Sequence, residues 1–198
     1  MISLVRGKFL FKQPGSVIVD VNGVGYELQI SLNTYNDIQD LEEGSLFTYL
    51  HVREDALLLY GFSRQEERSM FSLLITVSGV GTSTARIMLS SMLPGEIMQA
   101  IGSGNSKKLE SVKGIGRKTA ERIILELRDK VSKLPNIHSI TDNLSEKNYN
   151  TREQDALNAL VSLGVSKNIA ESAVKKAADN LPESAGIENL IKEALKLL

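Results

Sequence analysis

Two glycine turns, 35 residues apart, are the part of this chain best suited to hold an anion. The first lies in Leu73-Leu74-Ile75-Thr76-Val77-Ser78-Gly79-Val80-Gly81-Thr82-Ser83-Thr84-Ala85. The second lies in Leu109-Glu110-Ser111-Val112-Lys113-Gly114-Ile115-Gly116-Arg117-Lys118-Thr119-Ala120. Each copy has an apolar helix end, Gly-hydrophobic-Gly, polar residues, and an Ala that opens a second helix. The two glycines permit a tight turn with positive φ and leave no Cβ between backbone and ligand. Val80 and Ile115 are expected to turn inward and pin the turn to its helices. The following helix then offers free N–H groups and its positive dipole end to a phosphate. Thr82, Ser83 and Thr84 add hydroxyls to the first copy, while Arg117, Lys118 and Thr119 add two cations and a hydroxyl to the second.

Other uses of these glycines fail on spacing. A Walker A loop needs Lys directly after its last Gly, and Arg117 separates Gly116 from Lys118. A dinucleotide fingerprint needs a third Gly, where this chain has Thr84 and Thr119. The duplicated pattern resembles the helix-hairpin-helix family of DNA-binding elements. Such turns hold the sugar-phosphate backbone without reading its sequence.

The charge pattern agrees. The net charge is −1, which hides a basic middle between acidic ends. Residues 1–63 carry a net −4, residues 64–133 a net +5, and residues 134–198 a net −2. One segment is therefore suited to phosphate and the others to different tasks.

The elements that must position the turns follow from periodicity. Val17, Val19 and Val21 alternate with Ile18 and Asp20, then Asn22-Gly23 leads to Tyr26, Leu28 and Ile30. That reads as two strands around a hairpin turn. With further runs at Leu46–Val52 and Ala56–Tyr60, the first 62 residues read as β, and an OB-type barrel is the natural candidate. From Arg64 the period turns helical: Met70, Phe71, Leu74 and Val77 share one face, and Ala120, Ile123, Ile124, Leu127 and Val131 another. Residues 135–150 have no sustained period and read as a flexible linker. Beyond them, three short amphipathic stretches predict a three-helix module of UBA-like type. The fold class is thus α+β and multi-domain, with a barrel at 1–63, tandem hairpins at 64–134, the linker at 135–150 and the helical module at 151–198.

Composition removes several kinds of chemistry. There is no cysteine, so neither a disulfide framework nor a thiolate site exists. His51 and His138 are the only imidazoles and do not suggest a metal site. No metal and no cofactor are expected. No membrane span and no signal peptide are read from the sequence, and a cytoplasmic protein is expected.

Taken over its whole length, the chain resembles the RuvA family of bacterial Holliday-junction branch migration proteins. The resemblance is carried by Met1-Ile2, by Asn22-Gly23-Val24-Gly25-Tyr26, and by Val52-Arg53-Glu54-Asp55-Ala56 with Leu59-Tyr60-Gly61-Phe62. Both hairpins, the Gly116 to Glu126 helix and the terminal helical module complete it. The resemblance implies a homotetramer joined through its barrels, or two such tetramers face to face as an octamer. It implies that the paired hairpins grip the arms of four-way junction DNA, with Glu54 and Asp55 as an acidic pin at the centre. It implies further that the C-terminal module binds the hexameric RuvB ATPase, with Leu160, Leu163, Val165 and Ile169 as candidates, most of which read equally as core of the module, and that the RuvC resolvase is a further partner. In one respect the chain departs from the family pattern: Ser83 stands where a Lys is common, leaving the first hairpin to its amides and hydroxyls. Arg86, Lys107 and Lys108 are candidates to compensate.

The alternative reading is a repair enzyme, a glycosylase or nuclease that docks through the hairpins. It would need a catalytic Asp or Lys beyond a hairpin, or clustered carboxylates for metal ions. Asp129, between Arg128 and Lys130, reads instead as part of a solvent-facing ion pair. An RNA-binding barrel protein is a third class, and the paired hairpins speak against it.

Overall fold

The computed structural model describes residues 1–131, 151–182 and 185–198. The expected linker at 135–150 lies outside the described residues. The chain divides into two compact units, Met1–Ile137 and His138–Leu198.

The first unit opens with a closed five-stranded barrel. Its strands β1 (Leu4–Gln13), β2 (Ser16–Val21), β3 (Val24–Ile30), β4 (Glu43–Val52) and β5 (Leu57–Phe62) are ordered β1-β2-β3-β5-β4. Strands β1 and β4 pair antiparallel and close the barrel, while β3 and β5 pair parallel. The closed barrel agrees with the OB-type barrel expected from the sequence. The Asn22-Gly23 turn behaves as its chemistry requires. Both residues take positive φ, 52° and 88°, the Gly23 N–H donates to Asp20 Oδ1 at 2.7 Å, and Val21 pairs with Val24. The alternation in β2 places Val17 and Val19 in the barrel core with Leu28, Ile30 and Leu46.

One element differs from the all-β reading of residues 1–62. Helix α1 (Leu32–Ile38) connects β3 to β4. Its residues Asn33, Thr34, Asn36 and Asp37 are weak helix formers, so no helical period is visible in the sequence. Local capping supports it: the Ser31 hydroxyl accepts from the Thr34 N–H at 3.0 Å. Tertiary packing does the rest, burying Thr34 and Ile38.

Five helices follow: α2 (Gln65–Leu74), α3 (Thr82–Ser91), α4 (Pro94–Gly102), α5 (Ser106–Glu110) and α6 (Arg117–Val131). Pro94 opens α4 as its first residue, where its missing N–H has no bond to lose. The core of this helical part also takes in Tyr60 and Phe62 of β5, so barrel and helices share apolar packing across residue 63. Phe71 lies at the seam, fully buried, with ring centroids 5.0 Å from Tyr60, 5.0 Å from Phe62 and 5.4 Å from Tyr49.

Polar clasps reinforce the seam. The buried carboxyl of Glu67 in α2 accepts from the hydroxyls of Ser31 and Thr34, the latter at 2.6 Å. Asn33 Nδ2 donates to the Leu89 carbonyl at 2.6 Å and the Met92 carbonyl at 3.2 Å. The helical part is therefore held to the barrel at several points.

In the second unit, α7 (Thr151–Ser162), α8 (Lys167–Asn180) and α9 (Ile187–Lys196) surround one small core. Ala156, Ala170, Ala173, Ala177 and Ala194 supply much of that core. Their small side chains let the helices approach closely, which suits a module of about 48 residues.

Candidate nucleic-acid interface

The two hairpins have the same internal bonding at the same 35-residue offset. In the first, Val77 N–H donates to Leu74 O, Val80 N–H to Val77 O at 3.0 Å, and Ala85 N–H to Gly81 O at 2.9 Å. In the second, Val112 donates to Leu109 O, Ile115 to Val112 O at 3.1 Å, and Ala120 to Gly116 O at 3.0 Å. Val80 and Ile115 are both buried, as the sequence predicts for residues that pin the turns.

The glycines divide into two roles, a finer result than the sequence reading that assigned positive φ to the turn as a whole. Gly79 and Gly114 take φ of 89° and 91°, the left-handed region that favours glycine. Gly81 has φ −82°, and Gly116 is not among the positive-φ residues. No atom lies within 4 Å of a Cβ placed on Gly81 or Gly116. Neither strain nor internal crowding explains glycine at these two positions.

Helix α3 begins directly after Gly81 and α6 directly after Gly116. The N–H groups of Thr82, Ser83 and Thr84 precede the first helical bond, as do those of Arg117, Lys118 and Thr119. Each turn thus presents a small set of amide donors at the positive end of a helix. Arg117 is exposed and its Nε donates to Glu121 Oε1 at 2.8 Å; Glu121 raises the pKa of the guanidinium further above its usual value. Lys118 is exposed.

The residues proposed to compensate for Ser83 divide differently. Arg86 is committed to the barrel: its Nη1 donates to the Gly15 carbonyl at 3.0 Å and to Gln29 Oε1 at 2.7 Å. It joins α3 to the barrel as a half-buried cation. Lys108 pairs with Glu96 at 3.4 Å. Glu96 also caps α4 by accepting from the Leu93 N–H at 3.0 Å, and that bond with Lys108 lowers its pKa.

Sequence reading missed two residues that shape the hairpins. The phenol of Tyr60 lies 2.9 Å from the Thr82 hydroxyl, and Arg122 of α6 donates to the Ser78 carbonyl. Both partnerships are tertiary, so no local spacing announces them.

Glu54 and Asp55 stand exposed at the tip between β4 and β5, where the Arg53 N–H donates to the Ala56 carbonyl at 2.9 Å. In the C-terminal unit, Leu160 is fully buried and Val165 packs partly against the core. Leu160 therefore cannot form part of a docking surface. Leu163 and Ile169, 66% and 55% exposed, remain available. Among the described residues, no group of three or more His, Asp or Glu side chains is placed to hold a metal ion, and no helix is long and apolar enough to cross a membrane.

Sequence comparison matches this geometry segment by segment. Residues 1–61 match the RuvA N terminal domain, residues 71–129 the SAM-like helix-hairpin-helix tandem, and residues 151–198 the RuvA C-terminal domain. The chain is 46% identical over 198 residues to the Holliday junction branch migration complex subunit RuvA of Christiangramia forsetii, covering all of both chains. It is 44% identical to the subunit of the same name from Flavobacterium psychrophilum, again over the full length of both. The chain belongs to the RuvA family. The RuvA-type barrel, tandem hairpins and terminal module each coincide with an element built above from residues. The Holliday junction branch migration complex subunit RuvA of Syntrophotalea carbinolica is also 44% identical, over this whole chain and 99% of its own.

Proposed function

We propose that this chain is a non-catalytic, junction-specific DNA-binding subunit. It holds Holliday junctions open and square and loads a RuvB-type ATPase for branch migration in recombination and DNA repair. The observation that supports the reading is the repeated hairpin: Gly81 and Gly116 stand at the starts of two helices with open space beside them, and the first amides of each helix precede its first internal bond, as a phosphate-binding turn requires.

Four copies around a four-way junction would bring Glu54 and Asp55 of each barrel to the crossover. Carboxylates there repel phosphate and oppose stacking of the arms, while the hairpins hold the arms in place. Repulsion at the centre weakens binding but favours strand exchange. The terminal module offers Leu163 and Ile169 to the motor, and an open junction leaves its strands accessible to a RuvC-type resolvase. The protein works in the cytoplasm as a homotetramer, singly or as two tetramers enclosing one junction.

A gel shift comparing a four-way junction with linear duplex of identical sequence tests the reading. Clear preference for the junction is expected, together with a solution mass of a tetramer or octamer bound to it. Equal affinity for the two DNAs contradicts it.

A further inference from the structure

Thr82 follows Gly81 and Arg117 follows Gly116, so the two residues hold equivalent places in the two hairpins. The second hairpin uses a cation at this place. The first uses a hydroxyl, and that hydroxyl does not stand alone. The Tyr60 phenol, on the last barrel strand, donates to Thr82 Oγ1 at 2.9 Å. Tyr60 is buried, its ring packed 5.0 Å from that of Phe71, so the phenol is held from below by the shared core.

The chemistry of this pair has a direction. A phenol is the better donor and an aliphatic hydroxyl the better acceptor. Once Thr82 Oγ1 accepts from Tyr60, its own proton must point elsewhere. Thr82 is half-buried, and among the described residues the structure gives its hydroxyl no protein acceptor. Next to it in the chain, Gly81 has open space: apart from its two chain neighbours, nothing lies within 4 Å of a Cβ placed there. Accepting one hydrogen bond also strengthens the outgoing one, because hydrogen bonds in a chain polarise each other.

We propose that Tyr60 is a positioning residue for DNA binding: it orients the Thr82 hydroxyl as a neutral phosphate donor at the first hairpin. The barrel thereby contributes to a hairpin that lacks a cation at Ser83. This inference rests on the reading of the hairpins as backbone-binding elements. It adds that the two hairpins use different means, the first through a hydroxyl relay and the second through Arg117 and Lys118.

The test is a double-mutant cycle in the full-length protein with Tyr60→Phe and Thr82→Val, read as affinity for a synthetic four-way junction across a salt series. Tyr60→Phe keeps the packed ring and removes only the phenol oxygen, and unfolding curves and solution mass check each variant. Each single change is expected to weaken binding by about three- to tenfold. The double variant should be no weaker than Thr82→Val alone, because Tyr60 acts only through Thr82. The slope of affinity against salt should stay that of the parent, since no cation is lost. Thr82→Ser, which keeps the hydroxyl, should retain both affinity and sensitivity to Tyr60→Phe.

Failures separate cleanly. If Thr82→Val leaves affinity unchanged, the first hairpin does not use this hydroxyl and the relay is refuted, while the amide reading stands or falls on the comparison of junction with duplex. If Thr82→Val weakens binding but Tyr60→Phe does not, or if the two losses simply add, the hairpin reading stands and the role of Tyr60 is refuted.

Discussion

Arg122, in the helix that leaves the second hairpin, reaches back to Ser78, the residue that leads into the first. Its Nη1 donates to the Ser78 carbonyl at 3.1 Å and to the Ser78 hydroxyl at 3.2 Å. One guanidinium thus bridges the two hairpins, in addition to the apolar core that both share. Both residues are exposed, so water replaces much of what the bonds contribute to stability.

Arg122→Met is therefore expected to act on binding more than on folding. The unfolding midpoint should fall by no more than about 2 °C. Junction affinity should fall by about tenfold or more, since a charge-assisted bond that holds both turns is lost. A calorimetric scan beside a junction titration compares the two.

The glycines separate stability from binding in another way. Gly79→Ala and Gly114→Ala force a side chain into the left-handed region and should each cost about 1–2 kcal/mol of folding stability. Gly81→Ala and Gly116→Ala meet no atom and no strain, and should leave the denaturation midpoint almost unchanged. Their loss should appear instead in DNA affinity, where the added methyl stands between amide and phosphate. Urea denaturation and junction titration of the four variants give the comparison.

Restoring a cation at Ser83 is expected to tighten binding. Ser83→Lys should raise junction affinity at low salt and steepen the dependence of log affinity on log salt. The added slope should be about 0.9 for each new phosphate contact. Lys118→Gln should do the reverse by a similar amount. A salt series on both variants measures it.

Glu67 makes stability depend on pH. Burial raises its pKa above the ordinary carboxylate value of 4.5 and nearby Asp37 raises it further, while the hydroxyls of Ser31 and Thr34 and the charge of Arg64 partly oppose the shift. The folded state thus favours the protonated carboxyl more than the unfolded chain does. That advantage is fully present below about pH 4.5 and is lost as pH rises through the raised folded value. Compared with Glu67→Gln, the parent protein should lose relative stability as pH is raised above 4.5. Thermal unfolding of both proteins from pH 4 to pH 8 tests the sign.

How much of this was legible in the sequence depends on the range of the interactions. The Asn22-Gly23 turn and the valines of β2 could be read because turn chemistry and a period of two are local. The hairpins could be read because they occur twice, and repetition is visible without coordinates. Helix α1 could not, since its residues are poor helix formers and its reason is the packing of Thr34 and Ile38 against the rest of the unit. The partners of Arg86 were not legible for a related cause. In the sequence it is a cation close to a phosphate site, and only the fold brings Gly15 and Gln29 to its guanidinium. Leu160 and Leu163 are three residues apart with identical side chains, yet one is buried and the other mostly exposed. Leu160 lies within α7, whereas Leu163 lies in the turn just after it, so spacing alone does not place the two on one face.

The central claim is that backbone amides at the two helix starts meet phosphate, and hydrogen exchange observes those amides themselves. Exchange at Thr82, Ser83 and Thr84, and at Arg117, Lys118 and Thr119, should slow markedly when the full-length protein is saturated with a four-way junction, and linear duplex at the same concentration should slow it less. Unchanged exchange at all six amides, with protection appearing elsewhere on the protein, would contradict the account.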